Sequence, residues 1–261
     1  MKAIIMSVNG TKTNVEMELP VVFKTPLRKD VIKRAVLAEQ SWNRQPKGVS
    51  PLAGRLVSVE NWGPGRGAAR VPRTKGTRTH SAQRGAFVPQ ARGGHKAHPP
   101  KSTKNIIEKI NKKEHLLALK SSIAFTALKD AVRERGHRFN DSVEFPIIVE
   151  SKAEEISKTK DAIKLLKNLG VGADLERVKN GRRIRPGKGK MRGRRYKTPV
   201  GPLIVVGNDN SPILKAARNV LGVDVKPVNK LRTELLAPGA DPGRLTIWTE
   251  KAVAYLNEKY R

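Results

Sequence analysis

The sequence predicts an α/β fold: a helix–sheet–helix sandwich with a mostly parallel central sheet, into which a long basic extended loop is inserted near the N-terminus. Three observations predict it. Short apolar runs of strand type, at residues 146–149, 203–206 and 245–248, are separated by stretches of helical periodicity, the pattern of a parallel sheet covered on both faces. An apolar stripe of Leu116, Leu119, Ile123, Ala127 and Ala131, widened by Leu117, Ala124 and Leu128, marks a helix over 114–135. The 44 residues 61–104 contain no Asp or Glu, but ten Lys or Arg, seven Gly and five Pro. Such a segment is too polar and too broken to bury a core of its own.

Taken in order, residues 3–7 form a short apolar strand and 15–19 alternate apolar and polar. Thr25 and Pro26 suit the cap and first turn of a helix running to about Trp42, with Val31, Ala35, Ala38 and Trp42 on one face. Pro46, Gly48 and Pro51 end it. Beyond the loop, 105–111 reads as a short helix and 114–135 as a long one stopped by Gly136. A strand at 146–149 precedes an amphipathic helix at 161–169 closed by Gly170. The strand at 203–206 leads to Asn210, Ser211 and Pro212, a cap and first turn for a helix through Val220. A strand at 223–225, a helix at 228–236, a strand at 245–248 and a helix at 249–259 complete the chain. Residues 1–43 and 105–261 are thus expected to form the globular body, 44–104 the extended loop, and 177–197 a second basic insertion within the body.

The chain has 261 residues and a formal net charge of +30. Residues 177–197 hold eleven Lys or Arg and no acid, so the two basic segments carry +21 of that charge and the other 196 residues only +9. Charge concentrated in this way calls for a polyanion, and nucleic acid is the natural one. A membrane surface is disfavoured, since no apolar run approaches 18 residues. The opening MKAIIMSVNG is too short and polar for a secretory signal, which makes the cytoplasm the expected location. The absence of cysteine removes disulfides and thiolate chemistry.

Catalytic and cofactor motifs fail on inspection. Gly63, Gly65 and Gly67-Ala68 fit a loose dinucleotide fingerprint, but Pro72 blocks the helix that should follow and no acid lies about 20 residues on. Gly181 to Gly187-Lys188 is one residue too long for a phosphate loop, and Gly189 stands where Ser or Thr is needed. His80, His95 and His98 lack a Cys or carboxylate to complete a zinc site and suit base contacts better. No carboxylate pair or triad is visible, so neither an enzyme nor a cofactor is expected.

Both basic segments favour Arg over Lys, which suits phosphate forks and base stacking. Glycine lets the main chain approach a phosphate closely, and proline stiffens the chain between contacts. Folded back on itself, the 44-residue stretch could reach roughly 60–70 Å at ~3.3 Å per residue. Ten neutralised phosphates would give a log–log salt slope of about −7 to −9. The residues expected to bind RNA are Trp62, Arg66, Arg70, Arg73, Lys75, Arg78, His80, Arg84, Arg92, Lys96 and Lys101 in the first segment. In the second they are Arg182, Arg183, Arg185, Lys188, Lys190, Arg192, Arg194 and Arg195.

Trp62-Gly63, Gly65-Arg66, Ala69-Arg70, Pro72-Arg73, Gly85-Ala86-Phe87, Arg92-Gly93-Gly94 and Pro99 together resemble the long internal loop of the ribosomal protein L-four family. Leu236-Ala237-Pro238-Gly239 and the run from Gly243 to Glu250 are similar to its archaeal and eukaryotic branch, and the short end after Tyr260 to the archaeal form. The resemblance implies a structural protein of the large ribosomal subunit. Its body and loop would bind large-subunit rRNA and help assembly, with neighbouring ribosomal proteins and the nascent polypeptide as further partners and no homo-oligomer. It also implies a loop apex lining the polypeptide exit tunnel, which motif matching assigns to Arg66, Arg70, Arg73 and Lys75. Arg84, Arg92 and Lys96 would lie on the returning arm, with Trp62 and Phe87 as anchors. Two other readings compete: a DNA-compacting protein, which would need a groove-reading element or a symmetric dimer face, and a nucleotide-dependent enzyme acting on RNA.

Overall fold

The computed structural model describes residues 2–260. In chain order its strands and α-helices are β1 (Lys2–Met6), β2 (Lys12–Glu18), α1 (Lys29–Trp42), β3 (Val59–Glu60), β4 (Arg73–Thr74), α2 (Lys112–Phe125), α3 (Lys129–Glu134), β5 (Ile147–Val149), α4 (Thr159–Asn168), α5 (Gly172–Gly181), β6 (Arg183–Ile184), β7 (Tyr196–Lys197), β8 (Leu203–Val206), α6 (Ile213–Ala217), β9 (Asp224–Pro227), α7 (Thr233–Leu236), β10 (Thr246–Thr249) and α8 (Glu250–Lys259). The chain divides into two compact units, residues 1–41 with 108–261, and Trp42–Ile107.

The larger unit is built on one six-stranded sheet of order β2-β1-β5-β10-β8-β9. Only the β1–β2 hairpin is antiparallel; every other pairing is parallel. The predicted α/β sandwich with a mostly parallel sheet is therefore the observed one. Side chains alternate across the sheet, and both sets are buried. Ile147, Val149, Ile204, Val206 and Ile247 face one cluster with Ala162, Leu165, Leu166 and Ile213 of α4 and α6. Ile148, Leu203, Val205 and Trp248 face the other, with Leu119 and Ile123 of α2 and Ala252, Val253 and Leu256 of α8. This two-sided burial is why the strands read as continuous apolar runs and not as alternating ones. Helix α1 lies outside this sandwich, where Ile32 and Val36 meet Phe125, and Val31 and Ala35 meet Ala118.

Several helix limits differ from expectation. The helix expected from Thr25 begins at Lys29, after a 3₁₀ turn at Val21–Lys24, and the Arg28 N–H donates to Ser121 Oγ (2.9 Å). The helix expected at 105–111 does not form; the Asn105 side chain instead accepts from the Ile107 N–H, the local bond that lets Asn compete with a helix. The helix over 114–135 is two. Thr126 Oγ1 donates back to the Ile123 carbonyl and Leu128 is extended (φ −95°, ψ 111°), so α3 starts afresh. The helix expected at 228–236 breaks at the extended residues Leu231 and Arg232. Helix α7 then starts where the buried Glu39 carboxylate accepts from the N–H groups of Thr233 (3.1 Å) and Glu234 (2.8 Å). Helix α6 is shorter than expected, ending at Ala217. Helix α5 was not anticipated; it absorbs the first residues of the second basic run.

Candidate nucleic-acid interface

The smaller unit, Trp42–Ile107, contains no buried residue. Its order comes from main-chain hydrogen bonds. The Val49 N–H donates to the Pro100 carbonyl (3.2 Å), joining outgoing and returning strands near their start. Further on, β3 and β4 pair antiparallel, with Val59 opposite Thr74 and Glu60 opposite Arg73. From this short ladder the chain makes two excursions. Residues 61–72 connect β3 to β4, and 75–84 form a second turn in which the Thr74 N–H donates to the Arg84 carbonyl (3.0 Å). Arg73 also bridges to Gly85. Phe87 closes the next turn: its carbonyl accepts from the His95 N–H (3.1 Å), and its ring lies 5.1 Å from the His95 ring.

The candidate residues fall into distinct places. Trp62, Arg66 and Arg73 come together, with the Arg66 Cζ 5.4 Å and the Arg73 Cζ 4.7 Å from the Trp62 ring centroid. Arg73 is held from below by a bond from Nη1 to the Gln83 carbonyl (3.0 Å). The four residues expected at one apex are divided. Arg66 and Arg70 stand in the 61–72 excursion, Arg73 in β4, and Lys75 beside it, its N–H donating to the Ser58 carbonyl (3.1 Å). Arg78 and His80 are exposed in the second excursion, and Arg84, Arg92, Lys96 and Lys101 are exposed along the rest. His95 serves the Phe87 turn through both its main chain and Nδ1. Among the described residues no group of three His, Cys, Asp or Glu is placed to hold a metal.

The second basic segment is a small hairpin. β6 and β7 pair through Arg183–Lys197 and Ile184–Tyr196, and the Arg185 N–H donates to the Arg195 carbonyl (2.8 Å). Lys188, Lys190 and Arg192 occupy a 3₁₀ turn at its tip (Lys188–Arg192), with Met191 almost fully exposed. Arg182 lies over the Tyr196 ring at 4.1 Å and Arg195 at 5.8 Å. Arg183 and Arg194 are exposed, while Arg185 is half-buried and donates from Nε to the Arg194 carbonyl.

Arg177, counted in the sequence with this basic run, has a different use. It donates to Asp174 (2.8 Å) and to the Val200 carbonyl (2.7 Å), clasping the neck of the hairpin. Asp174 also accepts from His137 Nδ1 (3.1 Å) and from the Arg138 N–H (3.0 Å). Burial holds the His137 imidazole below its usual value despite the carboxylate beside it. Burial would raise Asp174, but its donors, His137 and Arg177 foremost, outweigh that and leave it below the ordinary carboxylate value.

A covered α/β body, together with two exposed, cationic, glycine-jointed segments, defines the class: a strongly basic α/β protein. Among the described residues no helix is long and apolar enough to cross a membrane. The profile of the Ribosomal protein L4/L1 family matches residues 17–259. The chain is 52% identical to the large ribosomal subunit protein uL4 of Archaeoglobus fulgidus, over 99% of both chains. It is 47% identical to uL4 of Methanosphaera stadtmanae, over 100% of this chain and 98% of that one. With uL4 of Saccharolobus solfataricus the identity is 46%, over 99% and 94%. The chain belongs to the ribosomal protein L4/L1 family. That is a structural family, not an enzymatic one, and its large-subunit members reside in the cytoplasm.

Proposed function

We propose that this protein binds large-subunit rRNA through both basic extensions and its body, helps the subunit assemble, and lines the polypeptide exit tunnel with the residue 61–84 region. One observation carries the reading: none of residues 42–107 is buried as a residue, yet they hold a defined main-chain path studded with Arg and Lys that have no acidic partner among the described residues. Such a surface suits the crevices of folded RNA, where phosphates need neutralising and Arg forks and stacks are effective. The names of the relatives support the large subunit as the setting. Neighbouring ribosomal proteins and the passing nascent chain are its further partners, and it acts as a single copy. Arg66, Arg70, Arg73 and Lys75 are the residues assigned to the tunnel side.

Deleting residues 63–97 tests this. The body keeps its cooperative thermal unfolding, while affinity for large-subunit rRNA falls and its salt slope shrinks by several units, about 0.7–0.9 for each phosphate no longer neutralised. A variant that still co-sediments fully with large subunits, at unchanged salt dependence, would refute the reading.

A further inference from the structure

Gly63, Gly65 and Gly67 all have left-handed φ angles, 68°, 89° and 59°, whereas Pro64 and Arg66 between them do not. Alternating hand along a main chain turns successive N–H groups toward one side, forming a concave, partly positive nest for an oxyanion. A Cβ at any of the three glycines would meet nothing within 4 Å, so close packing does not require glycine there. Among the described residues, no N–H from residue 62 to 70 has a hydrogen-bond acceptor within the protein. Such donors are costly to leave unmatched once water is excluded.

Two guanidiniums lie against the ring of Trp62, the residue that adjoins this turn. Arg66 and Arg73 both lie within cation–π range of the Trp62 ring, which stabilises each only modestly and leaves them repelling one another. Arg73 Nε is shut off from solvent and has no acceptor. Glu60, opposite Arg73 in the ladder, makes no ion pair with it, and no acid follows until after Lys104. An anion seated in the nest would accept from the free N–H groups and offset the charge of the two guanidiniums beside Trp62.

The geometry points to a phosphate site: the N–H groups of residues 65–68, with Arg66 and Arg73 on Trp62, take one phosphodiester group of RNA. This rests on the rRNA-binding reading and names the ligand at one place in it. Two arms test it on the full chain. In the first, transcribed large-subunit rRNA with dephosphorylated ends is titrated across a range of KCl concentrations. Gly65→Ala changes no charge, yet it weakens binding about tenfold, the worth of one charge-assisted hydrogen bond, and lowers the salt slope by about 0.7–0.9. Arg73→Gln does the same, and the double variant adds little because both lose the same phosphate. A Gly65→Ala protein with wild-type affinity and slope overturns the site even if Arg73→Gln is impaired.

In the second arm, inorganic phosphate is added while the Gly65 and Gly67 amide resonances are followed. Saturable shifts that vanish in Arg73→Gln support the site. Amides that do not move in the wild-type chain overturn it, whatever the RNA result. Shifts with phosphate alongside an unaltered rRNA slope in Gly65→Ala assign the site to a free or terminal phosphate and overturn the phosphodiester. Failure of the wild-type chain to bind rRNA, with saturable amide shifts retained, sinks the rRNA reading but leaves the anion nest in place.

Discussion

Trp248 and Trp62 stand in the two units and are ordered by opposite means. Trp248 is fully buried in β10, with Phe23 packed edge-on at 5.8 Å and the apolar residues of α2 and α8 around it. Trp62 is half-exposed, and its ring partners are two cations. Around the first, exclusion of water fixes the conformation. Around the second, main-chain pairs and glycine turns set a path, and the N–H groups of residues 62–70 have no acceptor within the described residues. A region ordered by burial is complete in itself, whereas one ordered by hydrogen bonds to its own backbone still has unspent binding capacity.

The largest effect expected from breaking this comparison is that of Trp248→Ala, which removes a fully buried aromatic and costs about 3–5 kcal/mol in denaturant unfolding. Trp62→Ala should shift the same transition by less than about 0.5 kcal/mol. Equal losses would mean that the two units share one cooperative core. Next comes Asp174→Ala, which strands the buried His137 and the half-buried Arg177 and costs about 3 kcal/mol.

Acid should act at the same place. Burial holds His137 below the ordinary 6.5, so the unfolded chain binds its proton first as pH falls. Its contribution is complete above about pH 6.5 and is lost as pH falls, with a slope of at most about 1.4 kcal/mol per pH unit. Replacing His137 by Gln should flatten the stability profile between pH 6.5 and the lowered value; an unchanged profile would place the titration elsewhere. The smallest effect is that of Lys12→Ala, whose ion pair with Glu144 (2.7 Å) is exposed at both ends. Its loss should move stability by less than about 1 kcal/mol, fading further with added salt.

The strands were legible because burial on both faces leaves no polar alternation to misread, as in the four consecutive apolar residues of β8. Helix ends were not, because they are set from far along the chain. Glu39 starts α7 from 194 positions away, and Ser121 receives the Arg28 N–H across 93. In the basic unit, charge and composition were readable but the path was not. Gln83 and Phe87 adopt left-handed φ of 61° and 71° without being glycine, which no local propensity announces. The gathering of Arg66 and Arg73 on Trp62 depends on the β3–β4 register, and two-residue strands leave no periodicity to find. Arg177 shows the converse: a cation in a basic run that the fold retains for itself.

The bond from the Glu108 N–H to Ser41 Oγ joins residues 67 positions apart, and it sits where α1 meets the segment leading into α2. During synthesis, α1 is therefore made well before the helix that covers it. At ~5–20 residues per second the 67 positions from Ser41 to Glu108 alone take roughly 3–13 s. Throughout that time, Val31, Ile32, Ala35 and Val36 have no partner while the intervening residues, rich in cations and unable to shelter them, emerge. The insertion thus sets a timing problem for the newborn chain. Exposed α1 is the stretch at which aggregation or capture by a holding factor would begin.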